Sequence, residues 1–343
     1  MKPKLLYVGH PALGENLVST PSMDYLSRTY DIVLLLMSGL VPVFEKYPFF
    51  SRIIECNEYK PTKEKMIGNF RLPEEVEKAI TELLPPGSKY TAEHDHYLQF
   101  TEGYPLFSKY EKLRKVTHFK HYTVMVDILI SFGMPKEDID IFGGKFDSNI
   151  RTFYKKNKQF SKTIVIYQGS EERTRRLSRD TIVSITEKVK VNFPHLDIVV
   201  LNYGGIRKKI SNIKCIMLPK RGQGTGKSLQ SIINLFKTHP LLMISPDSGL
   251  AHLAMAYNIP QIWLKSRIKY KERVHKDMQH LCTKFKHSKP NCDKACRGNQ
   301  VDIRYNHRQY LTCCKNGNVP CLNYDESNLN ALIEVIRQKI QVA

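Results

Sequence analysis

The stretch that most constrains this chain covers residues 241–263. It begins with an apolar run, 241–244, that has the length of a buried parallel strand. A short helix is predicted over 250–257, where apolar residues recur three and four positions apart, and a second strand over 261–264. The turn at 247–249 therefore lies where a parallel strand ends and a helix begins.

This turn contains Asp247, Ser248 and Gly249, and His252 follows within the helix. The first N–H groups of an α-helix have no partner inside the helix, and the helix dipole favours negative charge there. A phosphate group is therefore a suitable ligand for the turn. An ordinary N-capped turn that binds nothing is equally compatible with the pattern.

Alternation of strands and helices occurs twice along the chain. It stops near a basic, poorly patterned stretch at 151–162 and then restarts. Two such α/β runs predict two Rossmann-like domains, at 1–150 and 151–343. The predicted strands cover 5–9, 31–37, 51–56, 163–167, 197–202 and 213–218, and the predicted helices cover 15–28, 178–193, 228–236 and 326–340, the last with Asp325 as its N-cap.

The net charge of +20 is distributed unevenly. Residues 1–150 contain 18 Lys and Arg against 20 Asp and Glu, whereas 151–343 contain 35 against 13. Such an excess attracts polyanions, whether nucleic acid, a phosphorylated glycolipid or an anionic membrane surface. A solvated Lys-rich surface is the alternative.

No apolar run is long enough to span a membrane and no signal peptide is recognisable, so the cytosol is the expected location.

The loop after the first predicted strand carries a second motif. His10 and Gly14 lie in it, and Glu15 and Asn16 follow directly. From the residues alone, Glu15 could simply complement the positive end of the next helix.

A third motif follows the strand predicted at 163–167. It consists of Ser170 and the adjacent pair Arg175 and Arg176. The three motifs, in the order in which they occur along the chain, resemble those of glycosyltransferase family 9, the heptosyltransferases. Two departures stand out: Glu15 replaces the aspartate of that family, and Leu177-Ser178 replaces its Trp-Pro.

The resemblance implies the GT-B architecture, in which two Rossmann-like domains face an interdomain cleft. The N-terminal domain would bind the acceptor, with Glu15 as catalytic base, His10 orienting the acceptor, and Gly14 and Asn16 in the acceptor loop. The other domain would bind a nucleotide-sugar donor carrying UDP or ADP, without a catalytic metal. Its implied donor-binding residues are Ser170, Arg175, Arg176, Lys227, Asp247, Ser248, Gly249 and His252.

Residues 221–228 end in Gly-Lys-Ser, which is typical of a phosphate-binding P-loop. However, only three residues separate Gly222 from Gly226, whereas a P-loop requires four between its glycines. A P-loop NTPase remains an alternative. Under the family interpretation this loop precedes a helix beside the donor nucleoside, and Lys227 contacts phosphate.

Six of the eight cysteines occur after residue 281. Cys292, Cys296, Cys313 and Cys321 could form a tetrahedral thiolate site for a structural zinc ion. This site would stabilise a basic insertion at about 265–322. Free thiols or a disulfide are the competing interpretations.

The sequence thus predicts an inverting, metal-independent glycosyltransferase with a polyanionic acceptor. Lys and Arg alternate with aromatic residues over 265–315, a pattern typical of nucleic-acid grooves. This pattern favours hydroxymethylated bases of phage-type DNA, in the host cytoplasm, as the acceptor. The family resemblance and the near-neutral N-terminal domain instead favour the inner core of lipopolysaccharide. A zinc-stabilised nucleic-acid-binding module without catalysis is the third alternative.

Overall fold

A computed structural model describes residues 2, 4–8, 13–56, 159–169, 176–202, 213–218, 225–264, 274, 276–285, 322 and 324–342. The chain divides into two compact units, Met1–Phe153 and Tyr154–Ala343. Each contains a sheet whose described strand pairs are all parallel.

The first unit contains a sheet of three described strands in the order β1-β2-β3. The middle strand is buried from Ile32 to Leu36, as expected for a parallel strand covered on both faces. Helix α1 follows β1 and packs against β2 through its buried residues, which include Leu17 and Leu26. The elements are β1 (Lys4–Val8), α1 (Leu13–Ser27), β2 (Asp31–Met37), a 3₁₀ turn (Ser38–Leu40), α2 (Val41–Phe44) and β3 (Phe50–Cys56).

The second unit contains a six-stranded parallel sheet in the order β6-β5-β4-β7-β8-β9. Counted within the unit, this is the 3-2-1-4-5-6 order of a dinucleotide-binding Rossmann fold. Its elements are β4 (Ser161–Tyr167), α3 (Arg179–Asn192), β5 (Asp197–Asn202), β6 (Lys214–Met217), α4 (Thr225–Lys237), β7 (Pro240–Pro246), α5 (Gly249–Ala256), β8 (Gln261–Leu264), a 3₁₀ helix (Lys276–Leu281), β9 (Cys282–Phe285) and α6 (Glu326–Val342).

Helices cover both faces of this sheet. On one face, α3 and α6 share a core with alternate strand residues such as Ile166, Ile244 and Ile262. Trp263 alternates with that set and contacts His252 of α5, which places α5 on the opposite face. The predicted α/β class with two Rossmann-like units is therefore what the chain adopts.

Side-chain caps fix where two of the helices begin. The hydroxyl of Ser178 accepts a hydrogen bond from the backbone N–H of Thr181 at the start of α3. The carboxylate of Asp325 accepts one from the N–H of Asn328, which confirms the predicted cap of α6. Each cap satisfies an N–H group that has no partner inside its helix.

Two local features differ from the sequence expectations. Helix α1 begins at Leu13, two residues before the predicted start, so Gly14 lies on the helix and not in the preceding loop. Asn16 lies on the helix predicted over 15–28 and not in the acceptor loop that the resemblance implied. The predicted insertion at about 265–322 contains β9, the outermost strand of the sheet, which pairs with β8. The sequence of β9, Cys-Thr-Lys-Phe, lacks an apolar run such as residues 262–264, which identified the equally short β8.

Candidate functional site

The strand order creates a switch point between β4 and β7. These neighbours pair in parallel, with Ile164 opposite Leu242 and Ile166 opposite Ile244. From β4 the chain proceeds outward to β5 and β6, whereas from β7 it proceeds the other way to β8 and β9. Because the connections diverge there, a crevice opens beyond the carboxyl ends of the two strands, and ligands of such sheets bind in it.

The chain leaves β4 through a bend built around Gln168 and Gly169. Gly169 has φ 108°, a conformation that a side chain would strain. It forms an antiparallel bridge with Arg176, which closes the base of the intervening loop. Gln168 is buried, its side-chain amide donates to the carbonyl of Leu177, and its own carbonyl accepts from the N–H of Leu177. Gly169 and Arg176, the described residues on either side of Ser170 and Arg175, therefore lie together at the switch point.

The chain leaves β7 at the turn that begins α5. Ser248 has an extended backbone, and its hydroxyl accepts the N–H of Ala251 at 3.3 Å, which makes it the N-cap. The N–H groups of Gly249 and Leu250 precede the first possible intrahelical bond and face the amino end of the helix. All residues from Leu250 to Ala256 are buried, so α5 is a firmly packed element that holds these groups in place.

A buried polar pair lies directly behind this helix end. The Nε2 atom of His252 is 3.4 Å from Oδ1 of Asp247, and the two side chains are 4% and 1% exposed. The imidazole contacts the indole of Trp263 edge-to-face, with the two ring centroids 5.6 Å apart. Gln261, also on β8, donates from its side-chain amide to the carbonyl of Ala251. Strand β8 thus braces the first turn of α5 with two side chains.

The structure brings several sequence-predicted site residues together at one edge of the second sheet. Arg176 lies at the carboxyl end of β4, and the stretch from Asp247 through His252 follows β7. Sequence reasoning missed the bracing residues Gln168, Gln261 and Trp263. Two glutamines that border buried strands are the signal that could have identified part of this set, because such side chains require partners.

The remaining predicted residues fall elsewhere or outside the described part of the chain. Glu15 is the third residue of α1 and belongs to the first unit, as do Gly14 and the buried Asn16. Lys227 lies in the first turn of α4, after β6. Outside the described residues are His10, Ser170, Arg175, Cys292, Cys296, Cys313 and Cys321.

The position of α4 bears on the P-loop alternative. The Gly-Lys-Ser sequence follows β6, which is the outermost of the six strands on its side, and not one of the two strands at the switch point.

Within the described residues, no group of three or more His, Cys, Asp and Glu could hold a metal ion. None of the described helices is long and apolar enough to cross a membrane.

No protein-family model and no curated protein matches this sequence. Solved structures do match its fold. A family 9 glycosyl transferase from Veillonella parvula DSM 2008 has a TM-score of 0.56 at 11% identity, covering 100% of this chain and 98% of its own.

Two Escherichia coli proteins give similar values. The heptosyltransferase WaaC, solved with ADP, has a TM-score of 0.52 at 9% identity, covering 98% of this chain and 99% of its own. TibC, a dodecameric iron-containing glycosyltransferase from enterotoxigenic strain H10407, has a TM-score of 0.54 at 12% identity, covering 99% and 78%. The chain therefore has the GT-B fold of the family 9 glycosyltransferases, as the three motifs predicted.

Proposed function

We propose that this protein is a glycosyltransferase that uses a nucleoside-diphosphate sugar. One observation carries the proposal: the Gly169 bend and the amino end of α5 follow the two neighbouring strands at the switch point of a sheet with the dinucleotide-binding strand order. The fold shared with family 9 glycosyltransferases supports the same conclusion.

The donor diphosphate is proposed to rest against the first turn of α5. Gly249 has no side chain to obstruct the phosphates, and its N–H group can donate to them. Arg176 at the base of the neighbouring loop supplies positive charge, and Lys227 on α4 is a further candidate. These groups could stabilise the negative charge that develops on the leaving nucleoside diphosphate, and the proposal includes no catalytic metal. ADP is one probe, because WaaC was solved with ADP. UDP is the other, because the sequence resemblance implies a donor carrying UDP or ADP.

Glu15 is proposed as the catalytic base. Inverting transfer requires the acceptor hydroxyl to lose its proton as it attacks the anomeric carbon, and a carboxylate can accept that proton. His10, in the preceding segment, is proposed to orient the acceptor. A purely structural role for Glu15, complementing the positive end of α1, is the competing explanation.

The acceptor is proposed to be a hydroxyl on a phosphate-bearing molecule in the cytosol. The excess of Lys and Arg after residue 150 supports this class. The alternation of basic and aromatic residues over 265–315 favours DNA with hydroxymethylated bases, and lipopolysaccharide inner core is the alternative.

A structural metal ion bound by Cys292, Cys296, Cys313 and Cys321 is a separate proposal. It rests on their number and spacing, and on the stacking of Phe285 against Tyr324, which brings together the two ends of the segment that contains them. Metal analysis of the dialysed protein tests it; since TibC contains iron, iron should be measured beside zinc.

The experiment combines ADP-sugars and UDP-sugars with two acceptors, hydroxymethylated duplex DNA and deep-rough lipopolysaccharide, and follows acceptor mass. We expect one acceptor to gain one sugar. Glu15→Gln should lower the rate by about 10²-fold or more while nucleotide binding persists. Glu45→Gln is the matched control, because Glu45 is an exposed glutamate at the end of α2. If neither acceptor gains mass, the proposed function is contradicted. If Glu15→Gln keeps full activity, Glu15 is not the base.

A further inference from the structure

His252 lies in the first half of α5. The family resemblance implies direct donor binding by this residue. In the structure its side chain is enclosed by the protein, with Nε2 3.4 Å from the carboxylate of Asp247. The enclosed imidazole therefore presents almost no surface to a ligand.

The surroundings of His252 fix the imidazole in one orientation. Its ring contacts the Trp263 indole in a T-shaped arrangement, with an interplanar angle of 68°. The backbone of His252 is held as well, since its N–H donates to the carbonyl of Ser248. The ring and the backbone of His252 each have a contact, so the residue is suited to keeping a neighbouring group in place.

Asp247 is the group that His252 faces. A buried carboxylate is costly unless a partner compensates it, so the position of Asp247 depends on what surrounds it. Asp247 also immediately precedes Ser248 and Gly249, the residues that define the amino end of α5. A displaced carboxylate would therefore displace the turn and the N–H groups that it presents.

We propose that His252 is a positioning residue that acts through Asp247. Its imidazole holds the carboxylate, and the carboxylate holds the turn that presents the Gly249 N–H group to the donor diphosphate. This inference rests on the proposed function and assigns to His252 a role different from direct donor contact.

The test compares two variants of similar size. In His252→Gln the side-chain amide still offers an N–H donor towards the Asp247 carboxylate, whereas His252→Leu fills the space beside Trp263 but has no donor. Binding of ADP and of UDP is measured by calorimetry, and donor KM and kcat are measured with whichever acceptor gains mass in the transfer assay. We expect His252→Leu to bind about tenfold more weakly, with a raised donor KM, and His252→Gln to bind within about threefold of the unmodified protein.

A double-mutant cycle separates this role from simple packing. If His252 acts through Asp247, then His252→Leu should cost less than about twofold when Asp247→Asn is already present. His239→Asn is the control for lost stability, because His239 is also buried and contacts the opposite end of α5 through the carbonyl of Tyr257. Asn tolerates the positive φ at this position. This control should unfold more easily yet bind nucleotide normally.

The outcomes distinguish the inference from the function on which it rests. If the unmodified protein binds neither nucleotide and transfers no sugar, the proposed function fails and the inference falls with it. If it binds but His252→Leu binds equally well, only the positioning role is refuted. Additive effects in the cycle would also refute it, as would a tenfold loss in His252→Gln. Should His252→Leu fail to fold, His252→Met, which also has no hydrogen-bond donor, replaces it in the binding assay and in the cycle, with the same expected results.

Discussion

Replacing Ser248 by alanine tests whether the amino end of α5 binds the donor. The hydroxyl of Ser248 accepts the N–H of Ala251, and alanine removes that acceptor. Loss of such a cap costs about 0.5–2 kcal/mol of the free energy of unfolding, typically about 1 kcal/mol. For a unit of this size, the midpoint of thermal unfolding should fall by about 2–4 °C.

Ser248→Ala should reduce the free energy of donor binding by more than it reduces the free energy of unfolding. A ligand present at 100 times its Kd stabilises the folded state by about 2.7 kcal/mol. If Ser248→Ala weakens ADP or UDP binding tenfold, the same ligand concentration contributes only about 1.4 kcal/mol. The ligand-induced rise in the unfolding midpoint should therefore shrink to about half.

The assay is thermal unfolding with and without the tighter of the two nucleotides. Asp325→Ala is the matched control, because Asp325 caps α6 through the N–H of Asn328 and does not lie at the switch point. It should lose similar stability and keep the full ligand-induced rise. Ser248→Gly adds a second comparison: glycine is an adequate N-cap that costs only a few tenths of a kcal/mol, yet it cannot supply the hydroxyl to a ligand.

Two results would refute this reasoning. One is an unchanged ligand-induced rise in Ser248→Ala. The other is an equal reduction in Ser248→Ala and Asp325→Ala, which would mean that loss of stability alone accounts for weaker binding.

Three further predictions follow from the second unit. Burial lowers the pKa of His239 below 6.5, opposed in part by its hydrogen bond to Tyr257. The unfolded chain therefore binds a proton that the folded chain does not, so the free energy of unfolding should decrease as the pH falls below 6.5. Urea unfolding at several pH values should detect this slope, and His239→Asn should flatten it. Gly169→Ala places a side chain at φ 108° and should lower the free energy of unfolding in urea by on the order of 1–2 kcal/mol. It should also weaken nucleotide binding. Unchanged stability and binding would contradict the assigned bend. Lys227→Ala should weaken ADP or UDP binding in calorimetry without an associated ATPase activity, whereas an ATPase lost in this variant would favour the P-loop alternative.

Local signals were sufficient to predict most of the described helices and strands. Buried parallel strands are continuous apolar runs, and helix starts carry caps such as Ser178 and Asp325 that act within a few residues. The Asp247–Gly249 turn was identifiable for the same reason, since its strand, turn and helix are contiguous. The short strand β9 was missed because its place depends on pairing with β8.

The sequence by itself determined the alternation of strands and helices, the caps, and the chemical types of the residues at each turn. Only the tertiary structure decided that Gly169 and Ser248, far apart in the chain, follow neighbouring strands, because strand order results from packing and not from local preference. It also decided that His252 is enclosed against Asp247 and Trp263. A motif states which residues are present, whereas burial in the folded core determines whether a side chain can face a ligand or must act through a neighbour.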